Sequence, residues 1–201
     1  MMVYAGLIRI MKILAEATNV IAEGEVMQLI NMHDASLDEN AYLQVIRSKT
    51  AKLFEASSRL AAVLAGSDTA QEEACATYGQ ALGTAFQIID DVLDYDGDSQ
   101  EMGKNLGDDL REGKATLPLI AAMQRGSATQ AQMVRHAIEN GSTDQLDAIV
   151  TVVRETGALD VAREAAAAEA HRAIEAISTL PDSAYRTALL QLAAQLLQRR
   201  T

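Results

Sequence analysis

The sequence has little of the residues that form disulfides, rigid turns and aromatic cores. It contains one cysteine, two prolines and no tryptophan among its 201 residues, and aromatic residues make up 3%. A single cysteine excludes an internal disulfide and favours a reducing compartment. With so few prolines to interrupt them, segments rich in alanine, leucine, glutamate and glutamine favour an all-α fold.

Basic residues are also scarce, because 17 lysines and arginines stand against 28 acidic residues, which gives a net charge of −11. Nucleic acid is excluded as a partner, since binding to a phosphate backbone requires a basic surface. No apolar run reaches the length of a membrane span, and the first residues lack the layout of a signal peptide. These absences predict a soluble, cytoplasmic protein.

Hydrophobic residues make up 49% of the chain, which is enough for a sizeable core in a single all-α domain covering residues 1–201. Helical periodicity predicts one helix over residues 4–30 and, after a turn at residues 33–38, a long second helix that ends at Ala65. The alanine-rich run over residues 161–177 favours close packing between helices.

A third helix is expected to begin at Asp68 or Thr69, either of which can cap it. This helix carries three carboxylates, Asp90, Asp91 and Asp94, within an otherwise apolar run. Spacings of three and four residues place Asp94 beside the other two on one helix face. Carboxylates held so close repel one another, and a hard cation such as Mg²⁺ relieves that repulsion.

A glycine-rich loop is expected to follow the third helix, from Tyr95 to Ala115, and a further helix is expected to begin near Thr116. The loop carries Lys104 and Lys114, which are suitable point charges for a phosphate group. Mg²⁺ prefers one or two protein carboxylates together with water and phosphate oxygens. The combination therefore points to metal-assisted binding of a diphosphate. A solvated acidic helix followed by a flexible loop would not explain the apolar residues that flank the carboxylates.

The order of motifs in this region resembles the trans-polyprenyl diphosphate synthases. Residues 86–87 read Phe-Gln, residues 90–94 Asp-Asp-Val-Leu-Asp, residues 103–104 Gly-Lys, residues 107–110 Gly-Asp-Asp-Leu and residues 112–118 Glu-Gly-Lys-Ala-Thr-Leu-Pro. A lone Asp-Asp-x-x-Asp motif is a weak signal, whereas the whole series in this order is specific. The octaprenyl-type members of the family, which make quinone side chains, are the most similar.

The resemblance implies a helical bundle of the isoprenoid synthase type and a role for each motif residue. It implies that Asp90 and Asp91 face Mg²⁺ and that Asp94 supports them. The residues implied to hold the allylic diphosphate are Lys49, Thr50, Gln87, Lys104 and Lys114. Gln28 also matches a stretch of the long-chain members, and the sequence leaves open whether it serves the site or the core.

The resemblance further implies a Mg²⁺-dependent reaction between an allylic diphosphate and isopentenyl diphosphate. Ionisation of the allylic diphosphate, attack by isopentenyl diphosphate and loss of a proton would join the two head to tail. The family is dimeric, which implies a homodimer, and the lipophilic product implies work close to membranes.

The chain departs from the family in one large respect. The family has a first aspartate-rich motif, an arginine pair and a basic pocket for isopentenyl diphosphate, and none of these precedes Asp90 here. The resemblance therefore covers the C-terminal portion of such a synthase, and the 201-residue chain alone is expected to be inactive. A noncatalytic helical partner subunit, or an inactive fragment, is the alternative. Apolar stripes around Leu7, Leu14 and Ile21 are expected to be exposed.

Overall fold

A computed structural model describes residues 8–96 and 106–199, which form helices and turns without any strand. The helices are α1 (Ile8–Asn31), α2 (Glu39–Ile46), α3 (Lys52–Ala65), α4 (Thr69–Asp96), α5 (Asp108–Arg111), α6 (Leu117–Arg125), α7 (Ala128–Asn140), α8 (Leu146–Glu155), α9 (Ala158–Ala176) and α10 (Ala184–Leu196). The all-α prediction is confirmed.

Helix α4 is the central helix, and it packs against α3 on one side and α9 on the other. On α9 the buried surface consists of alanines at intervals of three or four residues, among them Ala162, Ala166, Ala170 and Ala173. Small side chains at this spacing let the two helix axes approach closely. The prediction that this alanine-rich run packs closely is confirmed.

The segment expected to be one long helix up to Ala65 is divided. Residues Arg47–Ala51 form a π-helix, called here the π turn, between α2 and α3. A π turn contains one residue more than an α-helical turn and is uncommon, often occurring at functional sites. Helical periodicity predicted the helix but gave no sign of the extra residue.

The ends of the helices agree in part with the sequence. The Asp68 side chain accepts a hydrogen bond from the amide of Gln71 at 2.8 Å, as expected of a capping residue. Helix α4 continues to Asp96, so the loop begins later than predicted, and residues 108–111 form the short helix α5. Residues 97–105, which complete that loop, lie outside the described residues.

Helix α1 has an exposed apolar face. Leu14 and Ile21 are half-buried, so the expectation that they would be exposed is wrong, and Leu7 lies outside the described residues. The exposed apolar residues of α1 are Ile8, Met11, Val26, Leu29 and Ile30. Within the described residues, no helix is long and apolar enough to span a lipid bilayer.

Candidate active site

A cavity of about 510 Å³ lies where α1, α2, the π turn, α4 and residues 106–116 meet. Its polar lining consists of Gln28, Asn31, Tyr42, Lys49, Thr50, Gln87, Asp90, Asp91, Asp94, Asp108, Asp109, Glu112, Lys114, Thr116 and Arg199. The structure thus brings together Lys49, Thr50, Gln87, Lys114 and the three carboxylates of α4. Lys104 lies outside the described residues.

The three carboxylates of α4 differ in their surroundings. Asp90 keeps 36% of its side-chain surface exposed, and one of its oxygens lies 3.7 Å from a guanidinium nitrogen of Arg199. Asp91 is buried, with 3% exposure. The two oxygens of Asp94 accept hydrogen bonds from the backbone amides of Asp108 and Asp109, each at 3.2 Å. Asp90 is therefore the most accessible of the three.

Asp91 is the centre of a hydrogen-bond chain across the cavity wall. The Tyr42 hydroxyl donates to its Oδ2 at 2.6 Å, and Nε2 of Gln87 donates to its Oδ1 at 2.8 Å. Oε1 of Gln87 accepts in turn from the Thr50 hydroxyl at 3.0 Å. This chain connects α2, α4 and the π turn, so it fixes the orientation of Gln87 and Thr50.

Burial and crowding of negative charge raise the pKa of two of the carboxyls. Burial and the charge of Asp109 raise the pKa of Asp91 well above its ordinary value, although hydrogen bonds from Tyr42 and Gln87 oppose the shift. Burial, followed by the charge of Asp109, raises the pKa of Asp94 to about 6. A cation in the cavity would relieve this repulsion.

The raised pKa of Asp94 predicts the sign of one pH dependence. Between pH 3.8, the ordinary pKa of the group, and about pH 6, the Asp94 carboxyl is protonated to a greater extent in the folded chain than in the unfolded chain. Asp94 therefore lowers the free energy of unfolding as pH rises through this window. We expect Asp94→Asn to show a less negative slope of stability against pH than the wild type between pH 4 and 6, measured by urea denaturation. The hydrogen bonds lost in the variant shift the whole curve without changing its slope, and equal slopes would contradict the assignment.

The π turn supplies the two residues that face the carboxylates. Nζ of Lys49 lies 3.1 Å from Oε1 of Gln28 and 3.1 Å from a carboxylate oxygen of Glu25, both on α1. The Thr50 hydroxyl is held by Gln87 on α4. Gln28, whose role the sequence left open, thus positions Lys49 at the cavity.

Lys114 approaches the cavity from the segment after α5. Its Nζ lies 2.9 Å from Asp109 and 2.7 Å from Glu112. Burial alone would lower the pKa of Lys114, but these two carboxylates raise it above the ordinary value, so the side chain stays charged. The backbone of this segment is tied to the α1–α2 turn, because the amide of His33 donates to the carbonyl of Gly113 at 2.8 Å.

The donor set suits a hard cation that is completed by other ligands. Within residues 8–96 and 106–199, no three acidic, histidine or cysteine side chains converge closely enough to hold a metal ion by themselves. Both oxygens of Asp91 and both oxygens of Asp94 already accept protein hydrogen bonds, which leaves Asp90 as the carboxylate of the motif most open to a metal ion. One or two carboxylates together with water and phosphate oxygens are the ligands that Mg²⁺ prefers, so the residues fit this ion.

Comparison with known proteins identifies the family of the chain. A model of the polyprenyl synthetase family matches residues 1–155 of the chain. The chain belongs to the polyprenyl synthetase family. The resemblance to polyprenyl diphosphate synthases that the sequence motifs indicated is therefore confirmed.

Two members of the family illustrate the similarity and its extent. The octaprenyl diphosphate synthase of Haemophilus influenzae is 50% identical over 187 residues, which are 92% of this chain and 57% of the relative. The octaprenyl diphosphate synthase of Escherichia coli is 47% identical over 200 residues, 99% of this chain and 62% of the relative. The chain thus spans about three fifths of the length of these relatives.

Solved structures of polyprenyl synthases have the same fold. The Caulobacter crescentus polyprenyl synthase, solved in complex with calcium and isoprenyl diphosphate, gives a TM-score of 0.94 at 43% identity. The match covers 100% of this chain and 62% of that one. A decaprenyl diphosphate synthase from Rhodobacter capsulatus gives a TM-score of 0.91 at 40% identity, again over 100% of this chain and 62% of the other.

Sequence reasoning missed three residues of the candidate site. Tyr42 lies on a different helix from its partner Asp91, and nothing in the local sequence separates it from an ordinary core tyrosine. Asp109 is the second acidic residue of the Gly-Asp-Asp-Leu motif, and although it matches the family pattern, the sequence indicated no role of its own for it. Arg199 reaches the cavity from the far end of the chain, beside Asp90 and over the ring of Phe86 at 5.1 Å.

Removing the Tyr42 hydroxyl should destabilise the fold without touching the exposed part of the site. We expect Tyr42→Phe to lower the free energy of unfolding by about 1–3 kcal/mol, because the buried Asp91 loses a hydrogen-bond donor. Chemical denaturation measures this loss. Tyr185→Phe is the matched control, since Tyr185 is 84% exposed and should change nothing. A wild-type stability for Tyr42→Phe would show that the Tyr42–Asp91 hydrogen bond does not support the fold.

Proposed function

We propose that the chain carries the metal and allylic-diphosphate portion of a trans-polyprenyl diphosphate synthase. The reaction proposed for the whole protein is the Mg²⁺-dependent head-to-tail condensation of isopentenyl diphosphate onto an allylic diphosphate. The observation that supports it most directly is the cavity itself. The three carboxylates of α4 line it together with Lys49 of the π turn and Lys114 of residues 106–116.

The two described lysines would bind the diphosphate from two different segments of the chain. Lys49 is held by Gln28 and Glu25, whereas Lys114 is held by Asp109 and Glu112. Each lysine would exchange a carboxylate partner for a phosphate oxygen, so binding keeps its charge compensated. Thr50 and Gln87 add neutral polar groups whose orientation is already fixed through Asp91. Lys104, a further proposed phosphate ligand, lies outside the described residues.

We assign different tasks to the three carboxylates. Asp90 is the proposed direct ligand of Mg²⁺, because its side chain is accessible from the cavity. Asp94 supports it with negative charge from one helical turn farther along, held in place by the amides of Asp108 and Asp109. Asp91, predicted from the sequence to face the metal, instead holds Gln87 and Tyr42.

The charge balance of the cavity makes anion binding dependent on a cation. Five carboxylates besides Asp91 line it, namely Asp90, Asp94, Asp108, Asp109 and Glu112, against Lys49, Lys114 and Arg199. A free diphosphate would be repelled by this excess of negative charge. When bound, Mg²⁺ would neutralise charge on the leaving diphosphate as the allylic C–O bond breaks. The lysines would stabilise the same developing charge.

A second candidate is a noncatalytic partner subunit that keeps the fold and the diphosphate site. It is favoured by the single Asp-Asp-x-x-Asp motif in the sequence, since the family pattern has two. The two candidates share the binding site and differ in whether isopentenyl diphosphate is consumed. Binding experiments therefore test the site, and a turnover assay separates the candidates.

Titration calorimetry with Mg²⁺ and pyrophosphate tests the proposed site. We expect weak binding of Mg²⁺ alone, because both oxygens of Asp91 and of Asp94 already accept protein hydrogen bonds. Affinity for Mg²⁺ should rise by about tenfold or more when pyrophosphate is present, equivalent to about 1.4 kcal/mol of coupling. By linkage, Mg²⁺ should raise the affinity for pyrophosphate by the same factor. Equal affinities in the presence and absence of the second ligand would argue against a shared site.

We also propose that the exposed apolar face of α1 is the contact of a homodimer. Ile8 and Val26 are separated by five helical turns, as are Met11 and Leu29, so these residues lie on one face. Leu29 is 65% exposed and Ile8 is 88% exposed, which is unfavourable in water. Light scattering should give twice the monomer mass, and a monomer at high concentration would contradict the proposal.

A further inference from the structure

The π turn is packed between two glycines that belong to different helices. An ideal Cβ placed on Gly24 of α1 would lie 2.6 Å from the backbone nitrogen of Lys49 and 2.9 Å from the carbonyl carbon of Ser48. An ideal Cβ on Gly83 of α4 would lie 2.7 Å from Cα of Ala51. Each glycine therefore allows its helix to contact the backbone of the π turn directly.

These contacts are with main-chain atoms, which cannot rotate aside as a long side chain can. An added methyl group at either glycine would have to displace the π turn or the helix that carries it. Glycine in a helix interior is also less favourable than alanine, because it loses more conformational freedom on folding. Both positions thus have a glycine where helix formation alone would favour alanine.

The π turn is also where the cavity obtains two of its polar groups. Its extra residue shifts the phase of the helix between α2 and α3, which directs Lys49 and Thr50 into the cavity. Lys49 reaches Gln28 on α1, the helix of Gly24, and Thr50 reaches Gln87 on α4, the helix of Gly83. Each of the two side chains is therefore bonded to the helix whose glycine contacts the turn.

We propose that Gly24 and Gly83 are positioning residues that hold the π turn in the register which presents Lys49 and Thr50 to a diphosphate. The identity of the ligand in this proposal rests on the proposed function. The geometry of the turn does not depend on it. A methyl group at either position would move the turn by a fraction of an ångström or more. Displacements of about 1 Å can lower the efficiency of a positioned group by about 100-fold.

The test compares Gly24→Ala and Gly83→Ala with the matched control Gly79→Ala. Gly79 lies one turn before Gly83 on α4, and a Cβ there would be as crowded, 2.3 Å from the carbonyl oxygen of Phe54, but it would not contact the π turn. Thermal unfolding of all three variants measures the general cost of the added methyl group. Calorimetry with pyrophosphate and Mg²⁺ measures the site.

A second measurement follows the π turn without any ligand. Lys49 has 29% of its side-chain surface exposed, whereas Lys12 has 73% and serves as an internal reference. The rate at which an amine reagent labels Lys49 relative to Lys12, read by mass spectrometry, reports whether Lys49 remains in place. Gly24→Ala should raise this ratio, and Gly79→Ala should leave it unchanged.

We expect Gly24→Ala and Gly83→Ala to weaken pyrophosphate binding by about tenfold or more, and Gly79→Ala by less than about twofold at a similar loss of thermal stability. Equal losses of affinity in all three variants would overturn the proposal, as would wild-type affinity in the first two. Failure of both to fold, with Gly79→Ala folded, would assign the glycines a structural role only and would also overturn it. If the wild type does not bind pyrophosphate while Gly24→Ala still releases Lys49, the proposed function fails and the positioning role stands.

Discussion

The 201-residue chain is expected to show no measurable condensation of isopentenyl diphosphate with farnesyl diphosphate in the presence of Mg²⁺. In the proposed site Lys49 and Lys114 bind one diphosphate, and the 201 residues contain no second Asp-Asp-x-x-Asp motif to serve the other substrate. Holding two reactants together supplies about 7–11 kcal/mol in well-oriented systems. At 1.36 kcal/mol for each factor of ten, losing even half of this slows the reaction by more than about 100-fold.

An assay with radiolabelled isopentenyl diphosphate measures this activity directly. The Escherichia coli octaprenyl diphosphate synthase, assayed in parallel, controls for substrate quality and for extraction of the product. Turnover by the 201-residue chain that disappears in Asp90→Asn would show that the chain is catalytically complete. Calorimetry on the same preparation establishes that the chain is folded and binds pyrophosphate, so an inactive result is not confused with a misfolded sample.

The carboxylate of Asp90 should account for most of the coupling between Mg²⁺ and pyrophosphate. We expect Asp90→Asn to lower the affinity for Mg²⁺ in the presence of pyrophosphate by about 100-fold, equivalent to about 2.8 kcal/mol. The amide keeps the shape of the side chain but removes the negative charge that a hard cation requires. Titration calorimetry of the variant against wild type measures the loss.

Asp96→Asn is a matched control for this experiment. Asp96 lies on the same helix and is also beside arginine side chains, Arg154 and Arg163, but it does not line the cavity. Its substitution therefore changes the net charge by the same amount without removing a proposed ligand. Similar losses in both variants would mean that the effect comes from overall charge and that Asp90 is not the ligand.

Local sequence signals predicted the all-α fold and several helix boundaries, among them the end of α3 at Ala65 and the start of α4 at Thr69. Gly126, Gly141 and Gly157 each lie at an end of a helix, and glycine is a common residue at such ends. The spacing of apolar residues along the sequence reveals the buried face of a helix, so a helix can be identified without knowing what it packs against. The same argument fails for the π turn, since an extra residue changes the phase of the pattern by too little to be read over a few residues.

The candidate site was predictable where its residues form a continuous motif. Asp90, Asp94 and Lys114 belong to one series of residues in the sequence, and the structure places all three at one cavity. Tyr42 and Arg199 join the same cavity from distant parts of the chain, so no spacing along the sequence connects them with the motif. Asp91 shows a further limit, because the motif does not reveal that this carboxyl is buried and accepts hydrogen bonds from Tyr42 and Gln87.

The alanine surface of α9 against α4 determines which parts of the site open most readily. Local unfolding requires the loss of buried contacts, so a helix covered on two sides is among the last segments to exchange its amide hydrogens. The carboxylates lie on that helix. Lys114 instead follows the four-residue helix α5, in a segment joined to its surroundings by hydrogen bonds such as that between His33 and Gly113. We therefore expect backbone amides around Lys114 to exchange with solvent sooner than those of α4 around the three carboxylates.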